Sequence, residues 1–507
     1  MKLIFINLIS ILNLLNHYAA FAQDSIMPKR EFRGVWLATV ANIDWPSRQG
    51  LSTKDQKNEL IKILDAHKKQ GINAIMFQVR PGADAFYPNC DEPWSQFLSG
   101  KQGVCPAPFY DPVAFAIEEC HKRAIEFHAW FNPYRATFDS NSTKTIPNHI
   151  TKKKPEWFFT YEGKKLFNPG LPEVRAYIIK IILNVVDFYD VDGIHFDDYF
   201  YPYTIKGQTI NDNETYILHN SGIKNIKDWR RNNVDTLIQA LNDSIHTHKS
   251  YVKFGISPFG IWKNKAQDVE GSDTRGGDSY YEIYADSRKW IKSGWVDYLN
   301  PQLYWAFNTK AAPFANLADW WGNNSYGRNM YVGHGAYRVN ATKDLSWRNP
   351  AQLGKQIAHI RENENINGSV FFSSKSLIKN PLGIADTLIK NYYRFLALPP
   401  TMPWLDSIKP NAPQNLIASN VVEGTQLNWQ LPNLAIDNEK AYGFVVYRFA
   451  EDEEIDLEYT ENIQAIFYAP ILNWLDVNAN LKLKYKYVVT TLDRLKNESL
   501  PSNIAYF

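Results

Sequence analysis

The amino-acid sequence predicts an α/β protein, a (β/α)8 TIM barrel followed by a small all-β immunoglobulin-like sandwich. Three observations carry this expectation. From Arg33 to about Leu398, short β-rich runs alternate with segments of helical periodicity, the signature of parallel α/β architecture. These runs number eight, and eight strands each followed by a helix close a barrel. Beyond a proline-rich stretch, the remaining chain alternates apolar and polar residues in short runs separated by turn signals, with no helical pattern.

The strand candidates are GVWLATV from Gly34, NAIMFQVRP from Asn73, FHAWFNPYR from Phe127, DGIHFDD from Asp192, KFGISPFG from Lys253, VDYLNPQLYW from Val296, YVGHGAYRV from Tyr331 and GSVFFSS from Gly368. Helical stretches between them include NELIKILDAHKKQG, ended by Gly71, and LPEVRAYIIKIILNVVDFYD, with Pro172 in its first turn, where a missing N–H is harmless. GIADTLIKNYYRFLAL is expected to supply the helix after the eighth strand. No GxGxxG or GxxxxGK[ST] loop interrupts a strand-to-helix turn, which argues against a nucleotide enzyme. The barrel is placed at residues 30–400, a stiff proline-rich linker at 401–411 and the sandwich at 412–507, where TQLNWQL, YGFVVYRF and KYKYVVTTLD read as strands.

A length of 507 residues exceeds what one ordinary domain holds. The chain is 45% hydrophobic and 21% charged, with no internal apolar run long enough to span a bilayer. Lys plus Arg number 55 against 53 Asp plus Glu, with no dense basic block, so nothing marks a nucleic acid or an anionic membrane as partner. Aromatic residues reach 14%, which suits sugar rings stacking on flat faces as well as core filling. Lys2, the apolar stretch Leu3 to Leu15 and the triplet Ala20, Phe21, Ala22 form the layout of a signal peptide at 1–22, cut after Ala22. The mature chain is therefore expected to be exported, periplasmic or secreted, without a transmembrane anchor. Three cysteines, Cys90, Cys105 and Cys120, cannot all pair, and both a Cys90–Cys105 disulfide and free thiols remain open. No metal-ligand spacing accompanies them, so no metal or cofactor is expected.

Active sites of such barrels lie at the C-terminal ends of the strands, and strand alternation says which side chains face inward. On the fourth strand Ile194 and Phe196 should face the helices and His195 and Asp197 the interior, leaving Asp198 turned away or on the rim. On the second, Phe77 and Val79 go outward and Gln78 and Arg80 inward; on the third, Phe127, Ala129 and Phe131 go outward and His128, Trp130 and Asn132 inward. The sixth contributes Asn300, Gln302 and Tyr304. Barrel interiors are normally filled by Val, Ile and Leu, so a convergent polar layer is costly unless a ligand or water satisfies it.

REFRGVWLATVANIDWPS, FQVRPGADAFYP, HAWFNPYR, FNPGLPEVRAYI, DGIHFDDYFYP, GISPFGIW, YADSRKWIKSGWVDYLNPQLYW and GAY together resemble the motif set of the glycosylhydrolase-like family ten, an exported bacterial family distinct from the xylanases that share its number. The resemblance runs from about Glu31 to beyond Tyr337 and implies a carbohydrate-directed barrel, some relatives being implicated in cleaving peptidoglycan glycan strands. DGIHFD is also similar to the fourth-strand pattern of the α-amylase families, which place the nucleophile at the position of Asp197 and an Arg where this chain has His195. The chitinase pattern is similar too, but its acid glutamate falls where this chain has Tyr199. The C-terminal segment resembles a fibronectin type III module, with Trp429 at the core tryptophan position, and its expected part is spacing or contact with a glycan or cell surface.

Glycoside hydrolysis uses one protonated and one ionised carboxyl group. Asp197 suits the ionised role, as nucleophile or base, with Arg80 expected to hold its pKa low. The candidate proton donors are Asp198, Asp84 in the loop after the second strand, and the acidic loop bearing Asp268, Glu270, Asp273 and Asp278, which plain solvation also explains. Trp130, Tyr199, Tyr304 and Trp305 are candidate sugar platforms; Gln78, Arg80, His128, Asn132, Arg135, His195, Gln302 and His334 are candidate substrate ligands. The leading reading is a glycosidase acting on a polysaccharide outside the cytoplasm. The alternatives are a non-catalytic glycan-binding barrel and a metal-dependent hydrolase built on His128, His195, Asp197 and His334.

Overall fold

The computed structural model describes residues 27–88, 90–138, 145–468 and 471–507; the expected export segment at 1–22 lies outside the described residues. Eight parallel strands close a barrel: β1 (Phe32–Leu37), β2 (Ala74–Arg80), β3 (Glu126–Phe131), β4 (Gly193–Phe196), β5 (Lys253–Ile256), β6 (Tyr298–Leu299), β7 (Asn329–His334) and β8 (Gly368–Phe371). Each lies beside its neighbour in sequence, and β8 pairs with β1 to complete the ring. All eight overlap the runs marked in the sequence, the first, third and seventh beginning one or two residues earlier, at Phe32, Glu126 and Asn329.

Seven helices return the chain from strand to strand: α1 (Thr53–Lys69), α2 (Pro112–His121), α3 (Pro172–Phe188), α4 (Ile226–His248), α5 (Ser287–Lys292), α6 (Phe314–Gly322) and α7 (Gln352–Arg361). Their starts are chemically specified. Asp111 accepts the N–H groups of Val113 and Ala114 at the head of α2, and Pro172 opens α3. α3 buries Val174, Ile178, Ile181, Ile182 and Val185, one apolar stripe at helical spacing. The long helix expected after β8 is instead a short α-turn, Ile384–Thr387, running into a π-turn, Leu388–Tyr392. Arg361 and Arg33 draw the carbonyls of Tyr392 and Phe395 into hydrogen bonds, which directs this tail across the bottom of the barrel.

Pleating sorts the core into two layers. Phe77, Val79, Phe127, Ala129, Phe131, Ile194 and Phe196 pack under the helices, while Phe32, Trp36, Met76, Trp130, Tyr298, Tyr331 and Val370 fill the interior. Large rings fit inside because the strands facing them carry glycine. A Cβ on Gly193 would lie 2.5 Å from His128 Nδ1, and one on Gly255 would lie 2.0 Å from the Tyr298 ring.

The segment 401–411 is not a free-standing spacer. Met402 is fully buried in the interior cluster, and Trp404 Nε1 donates to Asp297 Oδ1 at 2.8 Å, closing the lower end of the barrel. From Gln414 onward seven strands follow: β9 (Gln414–Val421), β10 (Gly424–Gln430), β11 (Gly443–Ala450), β12 (Ile463–Phe467), β13 (Asn473–Asp476), β14 (Tyr485–Leu492) and β15 (Ala505–Tyr506). They form two antiparallel sheets, ordered β9-β10-β13 and β12-β11-β14-β15, with Trp429 buried against Phe444 in the core they share. Lys496, fully buried, seats these sheets on the barrel. Its Nζ lies 3.3 Å from Glu126 Oε1 and 3.7 Å from Asp192 Oδ1, and it stands over the Tyr442 and Tyr468 rings. All three cysteines are free thiols.

Gly255→Ala should drive a methyl group into Tyr298 and lower the free energy of unfolding by about 1–3 kcal/mol, the usual cost of overpacking. Urea denaturation reads this directly, and a variant as stable as the parent would contradict the interior packing.

Candidate active site

A cleft of about 450 Å³ opens at the C-terminal end of the strands. Asp197 and Asp198, the two residues following the loop-ward end of β4, both line it, and each is only 5% exposed. Gln78, Trp130, Arg135, Tyr199, Gln302 and Tyr304 line it as well, which brings eight of the sequence-derived candidates to one place. Trp36, Tyr203, Ser257, Phe259, Tyr337 and Phe372 join them without having been singled out. Trp36 was reachable by applying alternation to β1, and Tyr203 sits five residues beyond Asp198, directly after the DGIHFDDYFYP motif; Phe372 follows the last residue of β8 and carries no comparable signal.

A directed chain of hydrogen bonds holds Asp197. The Gln78 Oε1 accepts the backbone N–H groups of Thr39 and Val40, at 2.9 and 2.8 Å, which forces its Nε2 to donate to Asn132 Oδ1 at 2.6 Å. Asn132 must then present its Nδ2 to Asp197 Oδ2, where Trp130 Nε1 also donates at 3.2 Å. The Tyr199 backbone N–H donates to the other oxygen at 3.3 Å. Asn132 therefore touches the carboxylate rather than the open cleft. Asp198 has a different environment: the Tyr203 hydroxyl donates to Oδ2, and Gln302 Nε2 donates to Oδ1 at 3.0 Å while also reaching the Ser257 carbonyl.

Burial, then the adjacent Asp198 charge, raises Asp197 to about 7, and burial raises Asp198 as well. Two carboxyl groups so placed hold one proton between them up to roughly neutral pH. Arg135, whose guanidinium lies 4.5 Å from the centre of the Tyr199 ring, is the nearby positive charge that moderates both.

Several sequence expectations are corrected. Arg80 does not pair with Asp197: it grips Glu92 with two hydrogen bonds of 2.6 Å and donates to the Asn132 and Pro133 carbonyls. The pairing of β2 with β3 slips by one residue between Gln78 and Arg80, so alternation no longer holds at the strand end. The expected low pKa of Asp197 is reversed accordingly. Asp198 is not turned away, because β4 ends at Phe196 and the chain beyond it is free to present consecutive side chains. Asp84 lies outside the cleft, beside a small cavity lined by Gly82, Gln96, Phe97 and Ala136. Trp305 is not among the lining residues and packs edge-on against Phe259. His334 faces the helix layer, bonded to Gln356 and Ser369. In the acidic loop, Asp268 pairs with Lys263, Glu270 with Arg288, and Asp278 caps a short helix, while Asp273 is exposed.

His128 and His195 lie beneath the cleft rather than in it. Trp36 Nε1, which only donates, points at His195 Nε2 at 3.1 Å, so the neutral ring carries its proton on Nδ1 and donates to the Tyr298 hydroxyl at 3.0 Å. Tyr298 must then donate to His128 Nδ1 at 2.9 Å, and His128 Nε2–H to Glu126 Oε2 at 3.1 Å. Burial holds His195 well below the usual imidazole range, consistent with its neutral place in this chain. These rings are thereby engaged by the protein. Asn300, also inward, has both amide atoms buried without a partner among the described residues.

A closed (β/α)8 barrel with a buried carboxyl pair in an aromatic-walled cleft at the strand ends has the layout of a glycoside hydrolase barrel. Residues 31–349 match the family described as Glycosyl hydrolase-like 10, and the chain belongs to that family, as its motifs imply. It is 45% identical over 482 residues to Glycosyl hydrolase YngK of Bacillus subtilis (strain 168), covering 93% of this chain and 92% of that protein. It is 37% identical over 383 residues to Glycosyl hydrolase DigH of Escherichia coli (strain K12), covering 71% of this chain and 86% of the relative. The PgaB (BpsB) glycoside hydrolase domain from Bordetella bronchiseptica superimposes with a TM-score of 0.46 at 13% identity, over 72% of this chain and 99% of that one. No helix among the described residues is long and apolar enough to cross a membrane.

The hydrogen-bond chain requires His195 as the Nδ1–H tautomer and His128 as the Nε2–H tautomer. 15N NMR of labelled histidine should report both, and Tyr298→Phe, which leaves each ring short of a partner, should cost about 1–3 kcal/mol of stability.

Proposed function

We propose that the chain is exported and hydrolyses glycosidic bonds of a polysaccharide, with Asp197 as the ionised carboxylate, nucleophile or base, and Asp198 as the proton donor. The observation that carries this reading is the buried Asp197–Asp198 pair on one wall of the cleft. Its two members have unlike partners. The three groups on Asp197 are all N–H donors, which favour the anion. One of the two on Asp198 is the Tyr203 hydroxyl, which can turn and accept when that carboxyl is protonated. A proton on Asp198 and a charge on Asp197 is thus the arrangement that leaves every group satisfied. It also supplies the two protonation states that glycoside cleavage needs.

The aromatic faces around the pair favour sugar rings over other substrates. Trp36, Trp130, Tyr199, Tyr304 and Phe372 line the cleft, and Arg135 adds a positive charge near its mouth that would bind hydroxyls or an acidic substituent. Bacterial cell-wall glycan is the substrate class placed first, following the family resemblance. A barrel that binds glycan without cutting it would not need a carboxyl pair poised to share a proton, so the hydrolytic reading is preferred.

Asp197→Asn and Asp198→Asn should each reduce release of reducing ends from peptidoglycan glycan strands by at least about a hundredfold while leaving far-UV circular dichroism unchanged. Turnover unchanged in Asp197→Asn would remove that residue from the mechanism, and glycan binding with no product in the wild type would favour the binding reading. Because activity requires one shared proton, it should fall as pH rises through about 7.

The same proton affects stability. The last proton of the pair leaves the folded chain near 7 rather than near the ordinary 3.8, so between these pH values the folded state binds more protons than the unfolded one, and the pair's contribution to stability falls as pH rises. Asp197→Asn should therefore gain stability relative to the wild type as pH increases across this window. Thermal unfolding of the two proteins from pH 4 to pH 8 measures the difference.

A further inference from the structure

The group that holds the acid proton and the group that faces the cleft beside it are different residues. Asp198, the acid of the proposed reaction, is only 5% exposed, whereas Tyr203, on the same loop, is half-buried and lines the same cleft. The loop is held at both ends: the Phe200 N–H donates to the Asp198 carbonyl at 3.0 Å, and the Ile205 N–H to the Tyr161 hydroxyl at 2.9 Å. Between these anchors Phe200 and Tyr201 are buried in the core. The Tyr203 ring is fixed in turn by two edge-on contacts, with Tyr199 at 6.2 Å and Phe259 at 6.1 Å between centroids. This framework sets its hydroxyl against Asp198 Oδ2.

The partners of Asp198 decide where its proton points. Gln302 Nε2 donates both to Oδ1 and to the Ser257 carbonyl, each at 3.0 Å, so this amide is anchored as a donor and cannot accept from Oδ1. The acid proton therefore belongs on Oδ2, whose one partner among the described residues is the Tyr203 hydroxyl. Once that oxygen accepts the Asp198 proton, the hydroxyl's own hydrogen must leave the line between them. Tyr203 donates to no other protein group among the described residues, and the open space beside it is the cleft. Burial, then the Asp198 charge, raises Tyr203 above the usual phenol range, so it stays protonated before and after each turnover.

We infer that Tyr203 is a further catalytic residue, a relay whose hydroxyl gives its proton to the glycosidic oxygen while Asp198 replaces it. The inference rests on the hydrolytic reading above and names the group that touches the leaving oxygen. In this step the Tyr203 O–H bond breaks as its proton bonds to the glycosidic oxygen, and the Asp198 Oδ2–H bond breaks as its proton bonds to the Tyr203 oxygen. The electron pair of the cleaved C–O bond departs with the leaving sugar, and Asp198 is left ionised. The water that completes hydrolysis adds its hydroxyl to the anomeric carbon and returns its other proton to the carboxyl pair, so no co-reactant is needed. The relay lets the acid stay buried, where its proton is kept, and still act on a substrate it does not touch.

The test follows release of reducing ends from peptidoglycan glycan strands by the full chain in H2O–D2O mixtures, and compares the parent with Tyr203→Phe. With two protons in flight, the parent's kcat should fall with deuterium fraction along a curve bowed below the straight line that one proton gives. Tyr203→Phe with native circular dichroism should lose at least about a hundredfold in kcat with KM little changed. Tyr203→Phe/Asp198→Asn should be no slower than Asp198→Asn alone, because the two groups act in one relay. A straight line for the parent, a loss of under about tenfold in folded Tyr203→Phe, or losses that multiply in the double variant would each overturn the relay and leave the hydrolytic reading standing. If Tyr203→Phe does not fold, the curvature in the parent decides alone. Absence of turnover in the parent would instead sink the hydrolytic reading, and the relay with it.

Discussion

Removing two neighbouring carboxyl groups from water is costly, and at the end of β4 that cost is offset by directed hydrogen bonds and by a shared proton. The arrangement of the upper barrel follows from it. Gln78 is oriented by two backbone N–H groups so that Asn132 can only donate to Asp197, and Gln302 spans from Ser257 to Asp198. Arg80, the residue expected to neutralise the pair, is instead locked to Glu92, which leaves Arg135 in the cleft wall to moderate the charge. A guanidinium in direct contact would hold both carboxyls ionised and deprive the site of its acid.

Beneath this layer the polar groups of the interior form a single ordered column rather than a set of ligands. It runs from Lys253 and Lys496 at Glu126, through His128, Tyr298 and His195, to the Trp36 ring at the floor of the cleft. Each donor and acceptor is assigned by its neighbour, so the column tolerates burial without net unsatisfied hydrogen-bonding capacity. Its lower end explains how the antiparallel sheets attach. Lys496 supplies a charge that Glu126 and Asp192 need, and Tyr442 and Tyr468 cover it from water.

The barrel was legible because periodicity is a local property: alternation assigned Phe77, Phe127, Ala129, Ile194 and Phe196 to the helix layer and Trp130 and His195 to the interior, where they lie. It failed where strand geometry fails. The slipped register near Arg80 and the end of β4 before Asp198 both break the period, and nothing in the local pattern announces either. His128 and His195 were placed on the correct face, but depth along the barrel axis, which separates a cleft ligand from a buried strut, is a matter of register between strands. The Glu92 partner of Arg80 and the Tyr203 partner of Asp198 are loop contacts and carry no periodic signal. Composition marks the proline-rich segment as a stiff linker but says nothing about Met402 entering the barrel.

The central claim is that Asp197 and Asp198 hold one proton between them in the absence of substrate. 13C NMR of aspartate carboxyl carbons, assigned by comparison with Asp197→Asn and Asp198→Asn, reads it directly. One carboxyl of the pair should titrate with a midpoint near 7 in the wild type, and that step should move to lower pH when the other residue becomes asparagine. Two carboxyls that both ionise in the ordinary range near 4 would contradict the account.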